Sequence, residues 1–93
     1  DTGTGQLTAQ IPACDDADDV FFDARRNRLY VSCGDGSLQV ANAANGTLKE
    51  IARLPTRTGS RTSLFVPELD RLFVAIRSRG LEDAAIWVYR PQN

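Results

Sequence analysis

Two stretches of this sequence repeat one pattern, and that internal repetition constrains the fold more than any single motif does. The segment RLYV at residues 28–31 returns as RLFV at residues 71–74, which is 43 residues later. The segment SLQV at residues 37–40 corresponds to AIWV at residues 85–88, which is 48 residues later. Such a spacing is typical of repeat architectures. The 93-residue chain is therefore predicted to be one unit made of two repeats, at about residues 1–41 and 42–93.

The first repeat reads as three short strands joined by tight turns. Residues 20–23 are rich in β-branched and aromatic side chains and end at the polar run ARRN, where the chain can reverse. Residues 28–33 alternate apolar and polar side chains, which is the period-two pattern of a strand. Asp35 and Gly36 follow, and this pair predicts a type I′ hairpin turn because both central residues of that turn need a positive φ. A third strand then includes residues 38–40.

Two further strands flank these three. A turn at Asn45 and Gly46 leads into a fourth strand at residues 47–54, whose imperfect alternation predicts a bulge. A lone strand at residues 6–11, where apolar and polar side chains alternate, precedes the first repeat. Each repeat therefore has a lone strand first, followed by a loop and a three-stranded meander.

Four strands per repeat and a period of about 42 residues are typical of the blades of a β-propeller. The competing architecture is a sandwich of two sheets, which requires no internal repetition. We therefore predict an all-β propeller with two four-stranded blades. If strands a to d run from the axis to the rim, the order along the chain is d-abc-d-abc.

Two motifs of the first repeat resemble those of the YVTN-repeat propeller family. The segment RLYVSC at residues 28–33 is similar to the R-x-Y-V-T-N segment of that family. Asp1, Thr4 and Gly5, together with the Ile-Pro pair at residues 11–12, resemble its D-x-x-T-G lead-in. The second repeat departs from the signature, and both repeats lack the usual Asn at the end of the strand. The resemblance implies a propeller fold and a secreted or periplasmic location, and it carries no catalytic residues.

Two blades cannot close a ring, and the strand order leaves the second blade without its fourth strand. An open blade exposes a strand edge, which invites pairing with another chain. The strand at residues 6–11 of one copy is expected to complete the blade that ends at residues 84–90 of the next copy. We predict a homotrimer with six blades, and a homotetramer with eight as the second choice. The alternative is that the chain is the C-terminal pair of blades of a longer propeller.

The overall charge and hydropathy argue against two classes of partner. The net charge of −1 gives no strong field that would attract nucleic acid or an anionic membrane. No apolar run approaches the roughly 18 residues that a membrane-spanning helix needs. Because the sequence opens on a polar segment without an initiator Met, it looks like a mature or excised piece.

An acidic loop precedes the first strand of the first repeat. In a propeller this loop lies at the same end of the channel as the turn near Asp35, and Ca²⁺ would need several oxygens there. Alternatively, the acids are solvated or accept hydrogen bonds from nearby backbone N–H groups. Asp18 aligns with Arg61 of the second repeat, so we expect these two side chains to neutralise each other around the channel mouth. The predicted channel-mouth charges are Asp15, Asp16, Asp18, Asp19, Arg57 and Arg61.

Arg57 and Arg61 have a second interpretation, as part of an anion pocket near the channel. The alternative is that these arginines are solvated or pair with acids of the first repeat across blade interfaces. We predict no metal and no cofactor.

The two cysteines, Cys14 and Cys33, are predicted to form a disulfide. One precedes the first strand of a blade and the other ends the neighbouring antiparallel strand, so their Cα atoms can approach within bonding range. An even cysteine count in a small, apparently exported chain supports this pairing. The alternative is two reduced, partly buried thiols. Zinc binding is disfavoured because the chain has no His to complete a usual ligand set.

The absence of His also argues against most enzymes, because Ser-His-Asp and Cys-His catalysis need an imidazole. We therefore predict a non-enzymatic binding or scaffold module that assembles with itself. A metal-dependent hydrolase or lyase using Ca²⁺ at the channel mouth is the first alternative. A carbohydrate-binding propeller is the second, with Trp87 and Tyr89 stacking on sugar rings, although Trp87 could instead pack between blades.

Overall fold

The computed structural model describes residues 9–92, which form two antiparallel sheets. The first sheet is four-stranded and the second is three-stranded, and in both of them the strands follow one another in chain order. A 3₁₀ turn at Ala44–Gly46 is the one helical segment within this described part. The prediction of an all-β fold is confirmed. The first sheet consists of β1 (Ala17–Asp23), β2 (Arg28–Cys33), β3 (Asp35–Asn42) and β4 (Lys49–Thr58), and the second of β5 (Ser63–Val66), β6 (Arg71–Ile76) and β7 (Ala85–Tyr89).

The first hairpins of the two sheets have the same register. Val20 pairs with Val31 in the first sheet, and Ser63 pairs with Val74 in the second, with both residues 43 positions further along. The connecting turns, at residues 24–27 and 67–70, also match. Asn27 has a φ of 55° and Asp70 a φ of 53°, a left-handed conformation that Asn and Asp tolerate better than other side chains.

The second hairpins correspond as well. Tyr30 pairs with Val40, and Phe73 pairs with Val88. The β7 partners lie 48 positions beyond their β3 counterparts along the whole hairpin. The offsets found in the sequence thus recur as backbone pairings, because each sheet contains the same three-stranded meander.

The fourth strand pairs with β3, and its pairing is irregular as predicted. The register shifts between Val40 and Ala41 and again between Asp35 and Ser37. The predicted lone strand does not appear where it can be assessed. Residues 9–11 lie outside both sheets, and residues 6–8 lie outside the described part of the chain, as does the lead-in motif at residues 1–5.

The turn between β2 and β3 is not the predicted type I′ turn. Cys33 pairs with Ser37, so the loop has three residues, and within it only Gly36 has a positive φ, of 93°. Three-residue hairpin loops typically end with one residue in this left-handed region. Asp35 uses its side chain instead, accepting hydrogen bonds from the Ser37 hydroxyl at 2.6 Å and the Asp15 backbone N–H at 3.0 Å.

The hydrophobic core lies between the two sheets. Tyr30 and Phe65 make an aromatic contact across it, with ring centroids 5.3 Å apart. One face of each sheet supplies this core, as expected from the alternation of side chains along a strand. The buried members are Tyr30, Leu38 and Val40 from the first sheet and Phe65, Leu72, Val74 and Ile76 from the second.

A disulfide joins Cys14 to Cys33, as the sequence predicted, with 5.9 Å between the two Cα atoms. It attaches the segment before β1 to the end of β2. Gln39 holds the same segment, since its Nε2 donates to the Pro12 carbonyl at 2.9 Å and its Oε1 accepts from the Cys14 N–H at 3.1 Å. Residues 12–14 are therefore fixed on the outward face of the first sheet.

Reducing this disulfide should lower the free energy of unfolding by about 3 kcal/mol, because the cross-link closes a loop of 19 residues in the unfolded chain. Urea denaturation with and without reductant measures the loss. The double variant Cys14→Ser/Cys33→Ala is the control and should not respond to reductant. Two titratable thiols in the unfolded, unreduced wild-type chain would contradict the disulfide.

Candidate functional site

Two of the predicted channel-mouth residues, Asp16 and Arg61, meet where the loops before β1 and β5 come together. Arg61 binds Asp16, with Nη2 at 2.6 Å and Nε at 2.8 Å from the same carboxylate oxygen. The expected pairing of Arg61 with Asp18 is therefore wrong, because Asp16 supplies the carboxylate. Asp16 has a φ of 58°, and its backbone carbonyl accepts a hydrogen bond from the Gly34 N–H at 2.9 Å. Any side chain at position 34 would collide with the Asp16 carboxylate, because an added Cβ atom would overlap it.

The other three acids have separate positions, one in the loop before β1 and two in β1 itself. Asp19 accepts a hydrogen bond from the backbone N–H of Ser63 at 2.8 Å, so it links β1 to the first residue of β5. Asp15 and Asp18 are exposed. Beside this contact, the Ser32 hydroxyl donates to the Arg61 carbonyl at 2.7 Å. The acids that the sequence analysis grouped together thus do not converge on one point.

The carboxylates at this end of the sheets are dispersed rather than gathered as ligands. Within residues 9–92, the one group of three metal-ligating side chains that come within 4.8 Å of one another is Cys14, Cys33 and Asp35. Its two sulfur atoms are bonded to each other in the disulfide, so neither is a free thiolate. This group does not fit Ca²⁺, which takes six to eight oxygen ligands.

Arg57 is engaged by the second sheet. Its guanidinium donates to the backbone carbonyls of Arg77 at 3.1 Å and Asp83 at 2.8 Å. Its Cζ atom also lies 5.6 Å from the centroid of the Trp87 ring, which is a cation–π distance. Arg57 therefore anchors the β6–β7 loop, while Arg61 pairs with Asp16, and the two side chains have different partners.

Trp87 and Tyr89 point toward the core rather than forming an exposed platform. Both side chains are half-buried and pack against the core cluster. Burial raises the pKa of the Tyr89 hydroxyl. The residues that β7 turns outward are Ile86 and Val88, which are 64% and 55% exposed. The arrangement matches the packing interpretation of Trp87 better than sugar stacking.

A buried polar cluster that the sequence analysis missed joins the two sheets at their opposite end. Asp23 is 2% exposed and accepts hydrogen bonds from the Tyr30 hydroxyl at 2.6 Å and from Arg26 at 2.9 Å. Arg26 also makes a bidentate contact with Asp70, at 2.8 and 2.9 Å. The β1–β2 turn is thereby fixed to the β5–β6 turn. The aligned turns of the two repeats were the available signal for this contact.

The electrostatics of this cluster favour its charged form. Burial by itself would raise the pKa of Asp23, but hydrogen bonds from Tyr30 and Arg26 outweigh it, and the pKa is lowered. The hydrogen bonds from Arg26 likewise lower the pKa of Asp70. Burial, followed by the bond to Asp23, raises the pKa of Tyr30 to about 12.

An open apolar groove lies between β4 and β7. Its volume is about 560 Å³. Leu38, Ala52 and Leu54 line it on the first sheet, and Leu72 and Tyr89 line it on the second. Arg28 and residues 90–92, which follow β7, line it as well. In the first sheet β4 pairs with β3, whereas the corresponding edge of β7 carries no strand among residues 9–92.

Replacing Tyr30 with Phe should cost about 1 to 3 kcal/mol of unfolding free energy, because the buried Asp23 carboxylate loses a hydrogen-bond donor. Urea denaturation measures this loss. Tyr89→Phe is the matched control and should change stability by less than about 0.5 kcal/mol. Equal effects of the two substitutions would contradict the importance of the cluster.

Acid should weaken the contact between the two turns. The pKa values of Asp23 and Asp70 are lower in the folded protein, so their stabilisation is complete above the unfolded value of 3.8 and is lost as pH falls through the folded values. Denaturation curves between pH 7 and pH 2 test this. The variant Asp70→Asn should be less stable at pH 7 and show a shallower decline in acid. A parallel decline in both proteins would contradict the assignment.

Comparison of the chain with protein-family models, with curated proteins and with solved structures found no match. The resemblance to the YVTN-repeat family therefore stays a prediction based on the motifs themselves.

Proposed function

We propose that this chain is a non-enzymatic scaffold or binding module whose two sheets are neighbouring blades of a propeller ring. Further copies of the chain complete the ring by stacking head to tail. One observation supports this proposal most strongly. When the two repeats are aligned, the residues on the outward face of one sheet correspond to the residues that the other sheet buries in the core.

The outward face of the second sheet corresponds to the inward face of the first. Tyr30 packs in the core, and its counterpart Phe73, 43 residues later, points outward. Leu38 and Val40 are also in the core, and their counterparts Ile86 and Val88, 48 residues later, are exposed. The second sheet thus presents the surface that the first sheet uses to pack against it.

The converse holds for the outward face of the first sheet. Phe65 and Leu72 are buried in the core, whereas their counterparts Phe22 and Leu29, 43 residues earlier, point away from it. Phe22 is 52% exposed. A second copy placed against this face would therefore repeat the contact that already exists between the two sheets.

Outward apolar faces distinguish this arrangement from an ordinary two-sheet sandwich. In sandwiches the outward-facing residues are polar and alternate with core residues along each strand. Here Val20 and Phe22 on one outward face, and Leu64, Ile86 and Val88 on the other, are all more than half exposed. Apolar surface of this kind marks an interaction site.

The contact between copies would be less polar than the contact within a copy. Within the chain, Arg61 pairs with Asp16; the counterparts across a head-to-tail interface are Asp18 and Gly59, which cannot form an ion pair. Likewise, the counterpart of Arg26 is Leu69, which is 59% exposed. Association is therefore expected to depend little on salt, because hydrophobic burial rather than charge drives it.

A head-to-tail contact is heterologous, so it must close by rotation or continue as a filament. A trimer with six blades is the favoured ring, and a tetramer with eight is the second choice. The same two faces would also accept blades supplied by a longer polypeptide. No observation among residues 9–92 specifically favours calcium-dependent hydrolysis or sugar binding.

The disulfide supports the proposal of a periplasmic or secreted location. No helix in this range is long and apolar enough to cross a membrane.

The variant Ile86→Asp should prevent association, because it places a charge at the centre of an apolar contact. The matched control is Leu81→Asp, since Leu81 is fully exposed in the β6–β7 loop, away from both faces. Size-exclusion chromatography with light scattering should give oligomeric masses for the wild type and the control, and a monomer mass for Ile86→Asp.

The two contradictory outcomes have different meanings. A folded wild-type monomer at high concentration would exclude a ring made of copies and favour blades from the same polypeptide. An oligomer that Ile86→Asp leaves intact would show that association uses another surface.

A further inference from the structure

We propose that the free edge of β7, beside the groove between β4 and β7, binds residues 9–12 of a second copy as a fourth strand. This inference rests on the proposed head-to-tail assembly and adds the segment that crosses from one copy to the next.

The groove lies where a fourth strand of the second sheet would pair with β7. In the first sheet, β4 covers the edge of β3 and packs Ala52 and Leu54 against the core. No described strand covers the edge of β7, and the groove of about 560 Å³ lies beside that edge. The backbone N–H and C=O groups along this edge have no described strand partner, and the groove provides space beside the edge, with the polar Arg28 and Gln92 among its lining residues. An extended segment binds such an edge by adding a strand to the sheet.

The path of the chain before β1 indicates which segment fits. Gln39 holds Pro12 and Cys14 on the outward face of the first sheet. The corresponding positions of the second repeat are also in contact, although the chemistry differs: the guanidinium of Arg57, 43 residues after Cys14, lies at a cation–π distance from Trp87, 48 residues after Gln39. Arg57 belongs to β4, a strand of the preceding sheet. By analogy with β4, residues 9–11 would belong to a preceding sheet, which a second copy would supply; in their own chain they lie outside both sheets.

The side chains of the segment match those of β4. Ala9 and Ile11 lie 43 residues before Ala52 and Leu54, the two β4 residues that pack against the core. Gln10 corresponds to Arg53, which is exposed between them. A strand at this edge would therefore place the small Ala9 and the large Ile11 on the outward face of the second sheet, beside Val88 and Ile86, and would direct Gln10 toward the groove.

The pairing of β3 with β4 gives the expected register. Val40 lies opposite Ala52, and Leu38 lies opposite Leu54. Moving both strands to their repeat counterparts places Ala9 of one copy opposite the partner's Val88, and Ile11 opposite the partner's Ile86. Directly opposite residues of an antiparallel pair have Cβ atoms about 4.5 to 5.5 Å apart, which a disulfide can bridge after a small adjustment.

The double variant Ala9→Cys/Val88→Cys tests this register. After mild oxidation, non-reducing electrophoresis should show most of the chain as covalent multimers that reductant converts to monomers. The matched control is Gln10→Cys/Val88→Cys, which directs the two sulfur atoms to opposite faces of the strand pair. It should form roughly a tenth or less of the cross-linked product. The wild-type chain, treated in the same way, shows how much cross-linked product arises from exchange of the native Cys14–Cys33 disulfide between copies.

Light scattering on the same samples separates this inference from the proposed function. Oligomers that cross-link equally poorly in both variants would overturn the strand exchange and leave the stacking of faces intact. Monomeric samples would overturn both proposals. An Ala9–Val88 disulfide found within a single chain would overturn the choice of a second copy as the donor.

Discussion

Both sheets of this protein have apolar side chains on both faces, and two sheets can cover only one face of each other. The alternation of side chains along a strand makes this unavoidable once both strand faces are apolar. Tyr30, Leu38 and Phe65 are buried between the sheets, while Phe22 and Ile86 remain exposed on the outward faces. The pair of sheets therefore has two uncovered apolar faces, one on each sheet, and the proposed association between copies would cover them.

Polar contacts at both ends of the sheets fix how the two layers stack. The Asp23–Arg26–Asp70 cluster joins the β1–β2 turn to the β5–β6 turn at one end, and the Asp16–Arg61 pair joins the loops before β1 and β5 at the other. Apolar contacts alone would allow the layers to slide, because dispersion and hydrophobic forces are not directional. The counterpart positions of the outward faces lack these pairs, so contacts between copies would gain their geometry from shape and from the strand edge.

The sequence identified the strands of the two meanders and their order because these depend on local alternation and turn residues, whereas the lone strand predicted at residues 6–11 does not appear in residues 9–11. The pair Cys14 and Cys33 was also predictable, since neighbouring antiparallel strands bring a start and an end together. The partner of Arg61 was not predictable. Alignment of the repeats suggested Asp18, but Asp16 adopts a positive φ in the turn before β1 and its carboxylate binds Arg61. The conformation of the Gly34–Gly36 loop escaped prediction for a similar reason, since loop length depends on which residues pair across it.

By itself, the sequence determined an all-β chain of two meanders with a matched register, because strand periodicity and repeat spacing are local properties. Only the tertiary structure decided which face of each sheet is buried and which remains outward, because both faces are apolar and their side-chain pattern does not distinguish them. It also decided that Arg57, Trp87 and Tyr89 serve packing between elements. The physical reason is that burial and ion pairing across sheets depend on contacts between residues far apart in the sequence, such as Asp16 and Arg61, which are 45 positions apart.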